Sequence, residues 1–314
     1  MRIIITGSEG FIGSSLLKEL RNVGHLVTGM DILLGANNDA SSQRDVRNLI
    51  EATNAEMIVH LAGKSEASFL PEDDAMQTVR ENAGMSAVIA QACGEYGIRL
   101  VLGSTDEVYG DNGKTVCEEF DGPWSHPRTL YGLTKLWSEQ VGKLYAPEGF
   151  TTLRYSMVYG PGIPAGPRRP AIVNMLWRAK SGHPIPVHAD AERSWCWIND
   201  AIKATRFAIE DGEGPYNIGR DDDLQKMFVV AENACSITGA EKEMIEIIEP
   251  PNRNSLSKRV SAYRLRRLGW KPEKRLWDGM SELYEAWVQY LDENGRYIDP
   301  EEVVEEVEEE IVST

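Results

Sequence analysis

Ile3-Ile4-Ile5-Thr6-Gly7-Ser8-Glu9-Gly10-Phe11-Ile12-Gly13 decides how this chain folds. Residues 3–6 are aliphatic or β-branched throughout, the pattern of a strand buried on both faces. Three glycines at G-x-x-G-x-x-G spacing follow at once, and residues 14–23 then place Leu16, Leu17, Leu20 and Val23 along one helical face. Strand, glycine turn and amphipathic helix in immediate succession form a phosphate cradle. The glycines permit the tight turn and a close backbone approach to a pyrophosphate, which rests on the positive end of the helix. A glycine pattern by itself says little; its place between a strand and a helix makes it strong. Gly7, Gly10, Phe11, Ile12 and Gly13 are therefore expected to hold a dinucleotide.

The chain that follows repeats the alternation. A strand over 25–30 ends at Asp31, where an acid accepts hydrogen bonds from the adenosine ribose hydroxyls and repels a 2′-phosphate, favouring NAD over NADP. An aspartate there also suits a turn or helix cap. Asp45, with Val46 beside it, is placed either against the adenine or at the cap of a helix over 46–52. An apolar strand over 57–62 ends in His60-Leu61-Ala62, with His60 read as a packed core residue and Leu61 and Ala62 as cofactor contacts. A helix over 78–95 and a strand over 98–102 continue the pattern without repeats or low-complexity linkers. The expected fold is α/β, a Rossmann-type doubly wound parallel sheet with right-handed crossovers.

That last strand runs into Gly103-Ser104-Thr105-Asp106-Glu107-Val108-Tyr109-Gly110. The carboxyl end of a strand in an open α/β sheet is where ligands bind, and two neighbouring carboxyls can be driven apart into one acid and one base. Alone, the triplet reads rather as a solvated acidic loop that caps the next segment. Further on, a helix beginning near Tyr131 puts Tyr131 and Lys135 four residues apart on one face. An ammonium beside a phenol is expected to lower its pKa and fit it for general-base work.

The bulk properties bound the function. With 314 residues, 42% hydrophobic and 26% charged, the chain suits one sizeable α/β unit with a smaller lobe. A net charge of −16 argues against nucleic acid as the main partner. Residues 299–314 hold eight acids and no base, an acidic tail read as a solvated helix or an interaction segment, which leaves about −8 on the remainder. Cys93, Cys117, Cys196 and Cys235 are scattered without metal-site spacing, as in a reduced cytoplasmic protein. Neither a signal peptide nor a membrane span is expected.

Taken together, the chain resembles the extended short-chain dehydrogenase/reductase family, the nucleotide-sugar epimerases and dehydratases. The resemblance rests on Thr6-Gly7-x-x-Gly10-x-x-Gly13, Asp31, His60-Leu61-Ala62, Ser104-Thr105, Tyr131-x-x-x-Lys135, Arg154-Tyr155-Ser156-Met157-Val158-Tyr159-Gly160-Pro161, Tyr216-Asn217-Ile218-Gly219 and Leu268-Gly269-Trp270-Lys271-Pro272, in family order over nearly the whole chain. Thr105-Asp106-Glu107 before Val-Tyr-Gly looks like the 4,6-dehydratase branch, particularly the dTDP-glucose type. The resemblance implies one bound NAD and a nucleotide-diphosphate sugar as substrate. It casts Tyr131 as the base on the sugar 4-hydroxyl, Lys135 on the nicotinamide ribose and Thr105 on the same sugar oxygen. Glu107 would take the C5 proton, Asp106 would protonate the departing 6-hydroxyl, and hydride would return to C6.

It further implies a dinucleotide-binding domain over 1–159 that also receives a strand near 214–219, and a smaller substrate lobe over 160–298. Asn174, Arg193 and Arg253 are expected substrate contacts, Arg193 as a diphosphate clamp or else a surface ion pair. A homodimer through helices near 78–95 and 131–144 is implied as well. The chain departs from its relatives at Met157, where they usually carry Asn, at residues 64–69, and at Val260, where they usually carry Asp. The alternatives are a 4-epimerase or a UDP-glucuronate decarboxylase on the same machinery, and a non-catalytic dinucleotide-binding module.

Overall fold

In the computed structural model, which describes residues 1–64, 74–110, 127–146, 148–163, 165–166, 170–249 and 257–290, the glycine stretch follows a strand that is second from one edge of the main sheet. β1 (Arg2–Thr6) is buried at four of its five positions and pairs in parallel with β2 (Leu26–Met30) on one side and β3 (Met57–His60) on the other. α1 (Phe11–Asn22) connects β1 to β2, and α2 (Gln43–Thr53) connects β2 to β3. α3 (Ala75–Val79), a π turn over Arg80–Gly84 and α4 (Met85–Tyr96) then lead to β4 (Arg99–Thr105). α5 (Leu130–Tyr145) precedes β5 (Thr151–Tyr155) and the short β6 (Met157–Tyr159).

Later in the chain come α6 (Ala171–Lys180), β7 (Ile185–Val187), β8 (Glu192–Trp197), α7 (Ile198–Asp211), β9 (Gly214–Ile218), β10 (Leu224–Lys226), α8 (Met227–Thr238), β11 (Ile245–Ile247), β12 (Ser257–Lys258), α9 (Tyr263–Arg267) and α10 (Leu276–Val288). The six-stranded sheet has the order β2-β1-β3-β4-β5-β9, parallel throughout. The chain steps outward from β1 to β2 and then returns to β3, so the order reverses between β1 and β3. That reversal is the switch point at which open α/β sheets bind ligands.

Packing divides the chain into two units. The larger comprises Met1–Val158, Arg193–Leu224 and Pro251–Glu273; the smaller comprises Tyr159–Glu192, Gln225–Pro250 and Lys274–Thr314. The larger unit therefore takes in more than a single late strand. β9 extends the main sheet beside β5, α7 packs on α1, and β12 joins β8 in a second small sheet. Arg193 lies in this unit and not in the smaller one. One face of the main sheet is closed by Val46 and Ile50 from α2 and Ile89 and Cys93 from α4, packed on Ile4, Ile58, Leu100 and Leu102. Each such buried aliphatic contributes roughly 1.5–3 kcal/mol. In the smaller unit α6 and α10 pack on α8, and β7 pairs in parallel with β11.

Three element boundaries differ from those read in the sequence, each for a local reason. α1 starts at Phe11 because Gly10, in extended conformation, is its N-cap. α2 starts at Gln43 because the Ser42 hydroxyl accepts from Asp45 N. The single helix expected over 78–95 is interrupted by the π turn, a feature common at functional sites.

Candidate active site

The cradle is built by close approach. Gly7 has φ +70°, and a Cβ placed on it would lie 2.7 Å from the Ala62 amide nitrogen. A Cβ on Gly13 would collide with the Gly7 carbonyl oxygen. Only hydrogen fits at either position, and the first amides of α1 are left facing outward without a helical partner. Thr6 ties the two sides of the switch point together: its carbonyl accepts from Leu61 N, and its hydroxyl from Ala62 N. This is the shape and polarity a pyrophosphate requires.

Asp31 stands at the end of β2, next to the cradle. One of its oxygens caps a 3₁₀ turn through Leu33 N at 3.1 Å, and the other accepts from Glu9 N at 3.2 Å. Asp45 sits in the first turn of α2, and the Val46 side chain is turned into the core. His60 is packed between the Thr6 hydroxyl at 2.7 Å and the Ser86 hydroxyl at 3.2 Å, a structural histidine.

Burial, aided by the Lys135 charge, pushes the His60 pKa from 6.5 down to about 3. The folded state therefore favours the neutral ring. Its contribution to stability is complete above pH 6.5 and is lost as pH falls toward 3. A parent chain is expected to lose about 1.4 kcal/mol per pH unit more than a His60→Gln variant across that window. Urea midpoints measured against pH check this, and parallel curves for the two proteins would count against it.

The candidate catalytic groups gather at the end of β4. Thr105 is the last residue of the strand, and Asp106 and Glu107 open a 3₁₀ turn over Asp106–Tyr109, all of them buried. The Thr105 hydroxyl accepts from Glu107 N at 3.3 Å, reaches Asp106 Oδ1 at 3.5 Å and lies near enough to the Tyr131 hydroxyl to favour its ionised form. Gly132 lets α5 approach: a Cβ there would lie 2.9 Å from Cβ of Glu107. The acidic triplet is thus a buried cluster facing Tyr131, and the reading of it as a solvated loop fails.

Asp106 receives the Ser156 hydroxyl at 2.9 Å. Its carboxyl is pushed up by burial, against the opposing charge of Lys258. Glu107 is ion-paired with Lys258, both side chains being buried. Lys135 donates to the Gly103 carbonyl at 3.0 Å, and burial brings its pKa down to about 8.

Tyr131 corrects an expectation. Burial drives its pKa up, and the Glu107 and Asp106 charges add to the rise; only the Thr105 hydrogen bond opposes it. The spacing of four gave the shared helical face correctly. It did not reveal that the Lys135 ammonium turns to a backbone carbonyl at the end of the sheet.

Sequence reasoning missed three residues. Asn82, presented by the π turn, clamps Lys64 through both its backbone N–H and C=O and reaches Thr134 at 3.1 Å. Ser156 and Lys258 meet the acidic pair from distant parts of the chain. Of the expected substrate contacts, Arg193 is near enough for its charge to act on Asp106. Asn174 belongs to the smaller unit, where it accepts from Arg178 at 2.9 Å. Arg253 and the acidic tail lie outside the described residues. Among the described residues no helix is long and apolar enough to cross a membrane.

A parallel sheet with a dinucleotide cradle at its switch point, and a group of buried Thr105 and Lys135 with half-buried Tyr131 beside it, defines a Rossmann-type enzyme. The chain belongs to the NAD dependent epimerase/dehydratase family, which matches residues 3–219, and NAD is its cofactor. It is 27% identical over 269 residues to a UDP-N-acetyl-alpha-D-glucosaminuronate decarboxylase of Bacillus cytotoxicus, covering 78% of this chain and 83% of the relative. Among solved structures, the dTDP-glucose 4,6-dehydratase of Bacillus anthracis in complex with NAD superposes with a TM-score of 0.79 at 22% identity, over 94% of this chain and 98% of that one. The UDP-glucose 4-epimerase of Thermus thermophilus in complex with NAD gives 0.79 at 23% identity, over 91% and 98%. At these identities the two structures establish a shared fold.

Proposed function

We propose that the chain is a nucleotide-sugar 4,6-dehydratase. The observation that supports this reading best is the buried pair Asp106 and Glu107 beside Tyr131, with Asp106 biased toward its protonated form and Glu107 held by a cation. Oxidation at C4 alone, as in an epimerase, needs Tyr131, Lys135 and Thr105 but no acid–base pair. Elimination across C5 and C6 needs one of each.

When bound, NAD supplies a hydride acceptor and later donor, and brings a positive ring that favours ionisation of a nearby phenol. Tyr131 takes the proton of the sugar 4-hydroxyl. Thr105, bonded to Tyr131, holds the same oxygen in line, and Lys135 anchors the nicotinamide ribose. A ketone at C4 makes the C5 proton removable; Glu107 takes it, and Asp106 gives its proton to the departing 6-hydroxyl as water. Return of the hydride to C6 and of a proton from Glu107 to C5 then converts the resulting alkene into a 4-keto-6-deoxy sugar. Asp31 binds the adenosine ribose, Asp45 approaches the adenine, and Arg193 meets the diphosphate.

The test is product analysis with dTDP-glucose, UDP-glucose and GDP-mannose, where alkali-absorbing 4-keto-6-deoxy product is expected. A C4-inverted sugar formed without loss of water overturns the reading. In Glu107→Gln, elimination is expected to fall about 10²-fold, with C4 oxidation and NAD binding retained; single-turnover absorbance of reduced nicotinamide separates the steps. We also propose a homodimer through α4 and α5, supported by the exposed Trp137, Leu144 and Tyr145 of α5. The buried free thiols of Cys93, Cys196 and Cys235 fit a reducing, cytoplasmic setting.

A further inference from the structure

Lys258 has no part in the chemistry described so far, yet it sits among the reacting groups. It occupies the two-residue strand β12, 151 residues from Glu107 in sequence, and its ammonium meets Glu107 Oε1. Side-chain exposure is 6% for Lys258 and 8% for Glu107. A lysine so buried is rare without a partner, because removing an ammonium from water is costly. A buried ion pair also adds little net stability over a well-packed apolar pair, so stability alone does not account for one placed here.

The surroundings point to a division of charge. Two carboxyls adjacent in sequence face one ammonium. The neutral arrangement of the three groups is one carboxylate, one ammonium and one protonated carboxyl. Contact selects which is which: Lys258 touches Glu107, whereas Asp106 is bonded to the neutral Ser156 hydroxyl. Among the described residues, Arg193 and Tyr131 also act on Asp106 or face the pair, and neither replaces the Lys258 contact on Glu107. Without Lys258, Glu107 loses its ion-pair partner and competes with Asp106 for the proton.

We propose that Lys258 is the positioning residue that sorts the pair, keeping the negative charge on Glu107 and leaving the proton on Asp106. The inference rests on the dehydratase reading for its catalytic meaning, but the protonation pattern can be measured without turnover.

The experiment is ¹³C-carboxyl NMR of the NAD-loaded full chain at neutral pH, with Glu107→Gln and Asp106→Asn used to assign the two signals. The parent is expected to show Glu107 at a carboxylate shift and Asp106 at a protonated shift. In Lys258→Met the Glu107 signal moves to the protonated position, and in Lys258→Arg it stays. With a turned-over nucleotide sugar, Lys258→Met is expected to slow solvent-deuterium exchange at C5 by about 10²-fold while C4 oxidation stays within about threefold; Lys258→Arg recovers most of the loss.

A parent spectrum with Asp106 ionised and Glu107 protonated overturns the proposal, as does an unchanged Glu107 signal in Lys258→Met. Should Lys258→Met fail to fold, the parent spectrum and Lys258→Arg still decide it. A parent chain that never eliminates water from any nucleotide sugar defeats the dehydratase reading, while the NMR spectra still decide whether Lys258 sorts the two carboxyls.

Discussion

Tyr131→Phe is expected to lower turnover by about 10³-fold, roughly 4 kcal/mol in activation free energy, with NAD affinity and melting temperature nearly unchanged. The substitution removes one hydroxyl beside the Thr105 side chain and keeps the ring, so the packing of α5 against the strand end is kept. What is lost is the hydroxyl proposed to exchange a proton with the sugar oxygen beside Thr105. Burial already makes that phenol reluctant to ionise, and the parent is therefore expected to gain rate as pH rises. Phenylalanine has no proton to exchange at any pH, so raising the pH should not rescue the variant. A steady-state pH profile of parent and variant checks both statements. A variant that retains more than about a tenth of parental turnover would remove Tyr131 from the mechanism.

Arg154→Met is expected to destabilise the fold by roughly 3–5 kcal/mol, a large part of the 5–15 kcal/mol typical of a folded domain. Arg154 grips Glu139 with two parallel bonds, Nε to Oε1 at 3.0 Å and a terminal nitrogen to Oε2 at 2.8 Å. The exposures are only 7% and 1%. Ser104 donates to the same carboxylate at 2.6 Å, and Arg154 reaches the Tyr109 hydroxyl at 2.8 Å, which in turn donates to Asn217 at 2.8 Å. This network fastens β4, the turn bearing the acidic pair, α5, β5 and β9 to one another. Truncation of the arginine strands a buried carboxylate. Removing both partners, in Arg154→Met with Glu139→Leu, is expected to restore most of the loss.

Arg47 and Glu95 make a comparable contact at the surface, with exposures of 39% and 40%, and breaking that pair should cost less than about 1 kcal/mol. Urea unfolding at constant m-value compares the three. A loss below about 1 kcal/mol for Arg154→Met would show that the network is not structural.

The parts of this protein that could be read from its sequence are those written in short stretches. Gly7, Gly10 and Gly13 lie within seven residues between a strand and a helix, and the structure uses them for one close approach. Thr105, Asp106 and Glu107 are contiguous, and Tyr131 and Lys135 are one helical turn apart. The alternation of strands and helices gave the parallel sheet, since each apolar run was long enough to be unambiguous.

What could not be read depends on side chains brought together from afar. Lys258 meets Glu107 across 151 residues, and nothing in Ser257-Lys258-Arg259 marks that lysine as buried. Asn82 owes its role to a π turn, which no periodicity reveals. The direction of the Tyr131 shift was misread because spacing reports neighbours and not desolvation, and desolvation is its largest cause. Asp31 is engaged as a cap and as an acceptor for Glu9, so the structure gives it two structural duties beside the ribose role proposed for it.

Deuterium placed at C4 of the nucleotide sugar distinguishes dehydration from the other reactions in a single product. If Asp106 and Glu107 drive elimination, the label leaves C4 and is recovered at C6 of a 4-keto-6-deoxy product, while solvent hydrogen enters at C5. Recovery of the label at C4, in an inverted sugar with no solvent hydrogen at C5, would rule out elimination by this pair.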